Sequence, residues 1–471
     1  MGACNDNQHC YTAYSPRYSC INNKCRHEPL DLSSLKQIIG VLLIVIIAGL
    51  TNAGGIGGGA VIVPVYLFTM EYSIGDSVPL AKATIFGGAL VTLFANFSKR
   101  HPTNSFLPLN DYKIASFIVP LMLSGSLIGV MLTKILPSAF ILFCMVTYLL
   151  TSSYQIYFKA IAYSRKEIEV MKKKKQTPVE IPQTQQLRLF DRSRKASNAS
   201  QINEEDDSSM GLSSPVEAAP PTWAVVQPYF FNIAVCVLSY LVILTVAVLR
   251  GGKGFASLVG IDYCSKASFF ILLGGEVICI GIAVLVVLKE RLNFRPKPIE
   301  ISPASKELDI SRPESELEVI EQIDLSLAPS KDTLFTFCKV YFGGMLAGMI
   351  GIGGGVVVNP FLLGIGYPPE IAATISGFIV LFTSLSTSTQ FMIAGAYDLR
   401  NSFFIFIFSV LGSYFGKKYI DGYIVKSGRP SLLVWILLFI TLISAVVLPS
   451  VGIFKILHEE NPFSIGHICR T

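Results

Sequence analysis

Charge is what this chain has least of. Only 15% of its 471 residues are charged and 51% are hydrophobic, whereas soluble domains carry about 25% charged residues. Many apolar stretches reach the roughly 20 residues that a membrane span needs. The composition therefore describes a polytopic membrane protein set in a lipid bilayer. The net charge of +6 calls for no nucleic-acid partner, because the basic residues cluster beside the spans. No His/Cys/Asp cluster lies inside the apolar segments, so no metal is expected. No nucleophile–base arrangement is visible, so the chain does not read as an enzyme, and no cofactor is implied. No cleavable signal peptide precedes the first apolar segment, so that span must direct insertion, or the true start lies upstream. Met1-Gly2 opens like a myristoylation signal, but Asp6 stands where Ser or Thr belongs.

Cysteine is unevenly spread. Cys4, Cys10, Cys20 and Cys25 fall within the first 25 residues of a polar segment, 1–34. An even, dense set predicts disulfides in an oxidising compartment, with three possible pairings. The alternative is a cytosolic zinc site, against which stands the absence of a C-x2-C pair. Cys144, Cys236, Cys279 and Cys338 lie in or beside apolar runs and read as packing residues.

Twelve apolar segments are predicted: 35–53, 56–70, 78–98, 114–133 and 136–158, then 227–249 and 267–288, then 333–350, 354–366, 370–395, 401–416 and 431–454. The two that begin at glycines are short and read as half-spans. The organisation expected is a cysteine-rich start (1–34), a first transmembrane repeat (35–158), a disordered linker (159–226) and a connecting pair (227–289). A second linker (290–332), a second repeat (333–455) and a tail (456–471) complete it. The linkers lack apolar periodicity, and the basic residues flanking them place both in the cytosol. Arg194-Lys195-Ala196-Ser197 would suit a basophilic kinase acting on Ser197.

The repetition rests on paired landmarks. Gly55-Ile56-Gly57-Gly58-Gly59-Ala60-Val61-Ile62-Val63-Pro64 stands 296 residues before Gly351-Ile352-Gly353-Gly354-Gly355-Val356-Val357-Val358-Asn359-Pro360. Asp111-Tyr112-Lys113 precedes Asp398-Leu399-Arg400 by 287 residues. The same offset separates Gly125-Ser126-Leu127-Ile128-Gly129 from Gly412-Ser413-Tyr414-Phe415-Gly416, and Ala83-Thr84-Ile85 matches Ala373-Thr374-Ile375. Each half is thus a five-segment repeat. If all five segments of a repeat cross, a connecting pair inserts the second repeat upside down relative to the first; a re-entrant glycine segment would change that count. An exterior N-terminus then puts Lys99, Arg100, His101, Lys417, Lys418, Lys426 and Arg429 inside, as the positive-inside rule asks, and leaves Cys264 and Cys469 outside. The expected fold is all-α and polytopic, with two inverted five-segment repeats, a connecting helix pair and helices broken at the glycines. Inverted repeats with paired interruptions are a transporter signature.

The glycine runs lack the G-x-x-x-x-G-K-[ST] spacing, which excludes a P-loop. Gly55-x-Gly57-x-x-Ala60 fits the dinucleotide fingerprint loosely, but an apolar span precedes it where a strand is needed. Irregular backbone at membrane depth survives only inside protein or beside a polar cavity. Glycines there would leave N–H groups uncovered at a half-helix N-terminus, which favours anions. The candidate substrate-binding residues are Gly55, Gly57, Gly58, Gly59, Gly351, Gly353, Gly354 and Gly355, with Asn52, Asn359, Thr84 and Thr374 as polar neighbours. Close helix packing is the other use of such glycines, and helix–helix hydrogen bonding the other use of the polar groups. Ser384, Ser386, Thr387, Ser388, Thr389 and Gln390 cluster in one span. Glu276, mid-segment, could carry a coupling proton, although it sits outside both repeats. Lys82, a turn inside its span, is expected to snorkel to the surface rather than attract an anion. Asp111 and Asp398 read as helix caps.

These residues resemble the TauE/SafE family of sulfite-exporter-like membrane proteins. The resemblance rests on the two G-x-G-G-G-x4-P cores and spans about 35–455. Gly251-Gly252-Lys253 with Cys264-Ser265 is similar to the eukaryotic branch. It implies transport of small anions, typically sulfite or organosulfonates such as sulfoacetate, by a multi-pass protein of the plasma membrane or an endomembrane. An anion channel, or a receptor or scaffold acting through its loops, would use the same features differently. The sequence assigns no oligomeric state.

Overall fold

The computed structural model describes residues 17–176, 221–293 and 331–458, together with Asn7 and Cys10. Short gaps fall at 22–23, 32, 73, 102–106, 253, 263–264, 352, 396–398, 428 and 430. Ser197, Asp398, Cys264 and Cys469 lie outside the described residues, as do the larger parts of both expected linkers. Twelve long or half-length helices correspond to the twelve apolar segments. They are α1 (Leu35–Ala53), α2 (Gly59–Phe68), α3 (Ile74–Phe97), α4 (Tyr112–Ile135), α5 (Ser138–Gln176), α6 (Phe230–Arg250), α7 (Lys266–Asn293), α8 (Lys331–Ile350), α9 (Gly355–Ile365), α10 (Pro369–Ile393), α11 (Leu399–Gly416) and α12 (Ser431–His458). Among the described residues seven stretches are long and apolar enough to cross a membrane, so the protein is an all-α multi-pass membrane protein. Apolar side chains such as Leu42, Phe94, Val277, Phe403 and Phe439 point outward and are exposed, as a lipid-facing surface requires.

Local chemistry sets the helix ends. Asp111 caps α4, its carboxylate accepting from the N–H of Lys113 at 3.0 Å and Ile114 at 3.3 Å. Helix α10 opens with Pro369 and Glu370 in its first turn, where proline loses no hydrogen bond and an acid faces the positive end of the dipole. Gly366 ends α9 in the left-handed conformation, φ 113°. One boundary differs from expectation. Helix α5 runs to Gln176, well past 158 and into the stretch assigned to the linker. Residues 159–176 contain no Gly or Pro and are rich in Lys, with Glu and Ala among them, so helix propensity continues where apolarity stops.

Contacts at the helix ends fix directions. Lys36 at the start of α1 pairs with Glu71 beyond α2 at 2.7 Å, and Gly40 faces Met70. So α1 and α2 form a hairpin that returns to its own side. With 10 residues, α2 is about 15 Å long, half the hydrocarbon thickness. The hairpin makes no net crossing whatever the depth of α2. Helix α3 starts on that same side, where Tyr18 donates to Asp76, and ends at Lys99, 2.7 Å from Asp421 beyond α11. Helix α4 returns, since the Leu109 N–H reaches the Lys99 carbonyl at 3.2 Å.

Two seams of small residues then join the halves. Gly412 and Gly416 of α11 lie against the backbone of Val45 and Gly49 on α1. Gly125 and Gly129 of α4 lie against Tyr341 and Met345 of α8, and Gly344 and Gly348 lie against Met122 and Ser126. In both seams the partners run parallel, so α1 and α8 run in opposite directions. The matched Gly-Ser-x-x-Gly landmarks are therefore the points where first and fourth helices of opposite halves touch, as small-x3-small spacing permits. Helices α5 and α12 pair, α3 packs on α10, and α6 and α7 lie against α4.

Outside the helical body, β1 (Tyr18–Ile21) and β2 (Lys24–His27) form an antiparallel hairpin. A disulfide links Cys10 to Cys25, and Cys20 is also disulfide-bonded, so the zinc alternative falls. His27 of this hairpin is buried, stacked on Tyr72 with ring centroids 3.8 Å apart. Of the remaining cysteines, Cys236 and Cys279 are buried as expected of packing residues, but Cys338 is exposed. It borders a cavity between α5, α8 and α9 instead of filling a core.

Candidate functional site

Helix α1 ends where glycine permits a sharp reversal. The N–H of Ile56 reaches back to the Thr51 carbonyl at 2.9 Å, and Gly55, Gly57 and Gly58 adopt φ of 67°, 82° and 72°. A side-chain-bearing residue would pay about 1–2 kcal/mol at each of those positions. The ladder of α2 begins only with Val61 and Ile62 donating to the Gly58 carbonyl, both at 3.1 Å. The N–H groups just before them have no intrahelical acceptor. The second loop repeats the plan. Gly351 and Gly353 have φ of 80° and 84°, and Val357 and Val358 donate to the Gly354 carbonyl at 3.1 and 3.0 Å. Pro64 and Pro360 each occupy the sixth position of the short helix that follows.

The two loops meet. A Cβ placed on Gly355 would stand 2.5 Å from the carbonyl oxygens of both Gly55 and Ile56. Asn359 donates Nδ2 to the Gly54 carbonyl at 2.7 Å, and Ser376 of α10 donates Oγ to the Gly55 carbonyl at 2.7 Å. Ile85 of α3 touches the positions where Gly57 and Gly353 would carry a Cβ, at 3.0 and 3.4 Å. Side-chain donors thus occupy carbonyls of the first loop, while the N-terminal N–H groups of two half-helices stay in the same region. Each such helix end carries roughly half a positive charge.

The candidate polar residues divide. Asn359 belongs to the junction. Asn52 instead donates to the Ala48 carbonyl at 2.8 Å and to Ser413 Oγ at 3.0 Å, tying α1 to α11. Thr84 bonds the Leu80 carbonyl at 2.9 Å and the Tyr66 hydroxyl. Thr374 bonds the Glu370 carbonyl at 3.0 Å and lines a water-sized cavity of about 30 Å³ with Asn96, Lys99 and Lys417. A larger cavity of about 650 Å³, lined by Tyr148, Thr151, Gln155, Lys339 and Met122 among others, ends near the second loop. Met122 Cε lies 2.9 Å from the Cβ position of Gly354. Among the described residues no His/Cys/Asp/Glu group could hold a metal.

Two ionisable residues sit differently from expectation. Lys82 does not snorkel: it is 1% exposed, and its Nζ lies 3.4 Å from the Ala347 carbonyl of α8. It shares a face of α3 with Val78 and Ile85, which abut Gly351 and Gly353, so tertiary packing holds it within the protein. Glu276, 5% exposed, is not remote from the repeats. It accepts from Ser124 of α4 and faces Tyr341 of α8, at the seam between halves. Sequence reasoning passed over Ser376 and Ile85. Ser376 lies one helical turn from Ala373, which abuts Gly55, and Ile85 lies two turns from Val78, which abuts Gly351; no local sequence pattern marks either.

A sequence profile of the family described as sulfite exporter TauE/SafE matches residues 38–189 and 232–448. Among similar proteins is sulfite exporter TauE/SafE family protein 2 of Arabidopsis thaliana. It is 23% identical over 445 residues, which cover 94% of this chain and 88% of that protein. Family protein 5 of the same plant is 24% identical over 424 residues, covering 90% and 84%. No solved structure matches the chain. With the matched profile spanning both glycine loops and most of the helices around them, this chain belongs to the TauE/SafE family of membrane transporters.

Proposed function

We propose that the protein is a secondary carrier of a small anion, sulfite or an organosulfonate, bound where the two glycine loops meet and exposed alternately to either side. The observation that carries this reading is the junction itself. Two half-helix N-termini converge, and Asn359 and Ser376 occupy loop carbonyls that would otherwise repel an anion. The family's description as sulfite exporters supports the choice of anion. Inverted repeats are supported by the opposite directions of α1 and α8 and by the reciprocal seams α1–α11 and α4–α8. The disulfide-bonded start supports an exterior N-terminus. Glu276, between Ser124 and Tyr341, is the proposed proton-coupling residue.

Purified protein in proteoliposomes should take up labelled sulfite with saturation, and Gly353→Leu should abolish uptake while the protein still inserts. Flux linear in concentration would point to a channel. Normal flux in Gly353→Leu would remove the glycine junction from the pathway.

A further inference from the structure

We propose that Lys82 is the fixed counter-cation of this anion site and that it selects substrates bearing a single negative charge. The inference rests on the anion-carrier reading and adds to it the residue and the charge class. Lys82 is 1% exposed, yet its only side-chain hydrogen bond among the described residues is a long one, 3.4 Å, to the Ala347 carbonyl. That oxygen already accepts the N–H of Gly351 at 3.2 Å. The ammonium thus sits at the root of the second glycine loop. It is flanked on its own helix face by Val78, against Gly351, and Ile85, against Gly57 and Gly353.

The other deeply buried cations differ in kind. Lys417 has Asp421 at 3.4 Å, and Arg250 donates to Ser268 at 3.1 Å. Among the described residues no acid pairs with Lys82. A buried charge without a partner is costly, and structures normally supply the partner or use the site. Here the missing partner is the cargo. Its position in the α3 segment has no matching lysine in the second half, where Ala372 stands at the equivalent place. One ammonium offsets one negative charge, so a dianion would keep its second charge uncompensated in a water-poor junction. Hydrogen sulfite or a monosulfonate fits. A disulfonate does not.

The test uses full-length protein in proteoliposomes and labelled sulfite. Lys82→Met, which keeps the side chain's length, should raise the KM at least about tenfold, and Lys82→Arg should stay closer to wild type. In the unmodified protein methanesulfonate should compete at concentrations at least about tenfold below those of ethane-1,2-disulfonate, because only the monoanion is fully paired. A wild-type KM in Lys82→Met, or equal competition by the disulfonate, overturns the proposal and leaves the carrier reading standing. If Lys82→Met does not fold, the competition experiment decides. Unmodified protein that shows no saturable uptake refutes the carrier reading and this proposal with it.

Discussion

Replacing Gly355 with alanine isolates the contact between the two glycine loops from every other property of glycine. Gly355 is the first residue of α9 and has no positive φ, so alanine adopts its backbone conformation at least as readily. What changes is one methyl group. Its carbon would lie 2.5 Å from the Gly55 and Ile56 carbonyl oxygens, about 0.9 Å inside the 3.4 Å at which ordinary contact begins. Both obstacles are main chain and cannot swing aside as a long side chain would. Overpacking of this kind costs about 1–3 kcal/mol, and any relief must come from the loops moving apart. Gly364 provides the control in the same helix: a Cβ there meets nothing within 4 Å, and Gly364→Ala should gain up to about 1 kcal/mol of helix propensity. Thermal unfolding in detergent should therefore place Gly364→Ala at or above the unmodified protein and Gly355→Ala below it. Sulfite uptake should persist in the first and fall sharply in the second. Equal midpoints and equal uptake for the two variants would refute the packed junction.

Cys25→Ser should loosen the Tyr18–His27 hairpin, which then keeps only the Cys20 disulfide, since closing the 15-residue loop to Cys10 is worth about 3 kcal/mol. Limited proteolysis should then cut the N-terminal segment while leaving the helices intact, and an uncut segment would show that the strands hold it unaided. Burial holds His27 below its ordinary value of 6.5, so the docked hairpin binds fewer protons than the released one. Its docking is strongest above pH 6.5 and weakens as pH falls below that value. Proteolysis at pH 5.5 should exceed that at pH 7.5, and His27→Gln should remove the difference. Glu276→Gln should flatten the pH dependence of uptake; an unchanged profile would exclude Glu276 from coupling.

Most of the fold was legible because apolar run length and glycine–proline punctuation are local signals. The twelve segments, the half-length helices after each glycine run and the Asp111 cap all follow from residues near in sequence. Polar helix was not legible by apolarity, which is why α5 overran its expected end at 158. Within the candidate site, the paired glycines were readable from repetition and Asn359 from its place in the second glycine run. Lys82 was misplaced because one turn inside a span is shallow only if the neighbouring helix leaves it a route out, and α8 blocks that route. Glu276 belongs to a connecting helix in sequence and to the α4–α8 seam in space, a fact carried by tertiary contacts alone. Ser376 donates across to the other half, and no pattern within its own helix announces that.

The glycine seams bear on how the protein is made. Val45 and Gly49 meet Gly412 and Gly416 backbone to backbone, so α1 lacks this partner until more than 360 further residues have been synthesised. At about 5–20 residues per second, that wait is roughly 20–70 s. During it the newborn first half sits in the bilayer with a glycine-lined groove open along α1 and another along α4. Each half completes its partner, so neither should mature alone, and separately translated halves should be degraded singly yet rescue one another when made together.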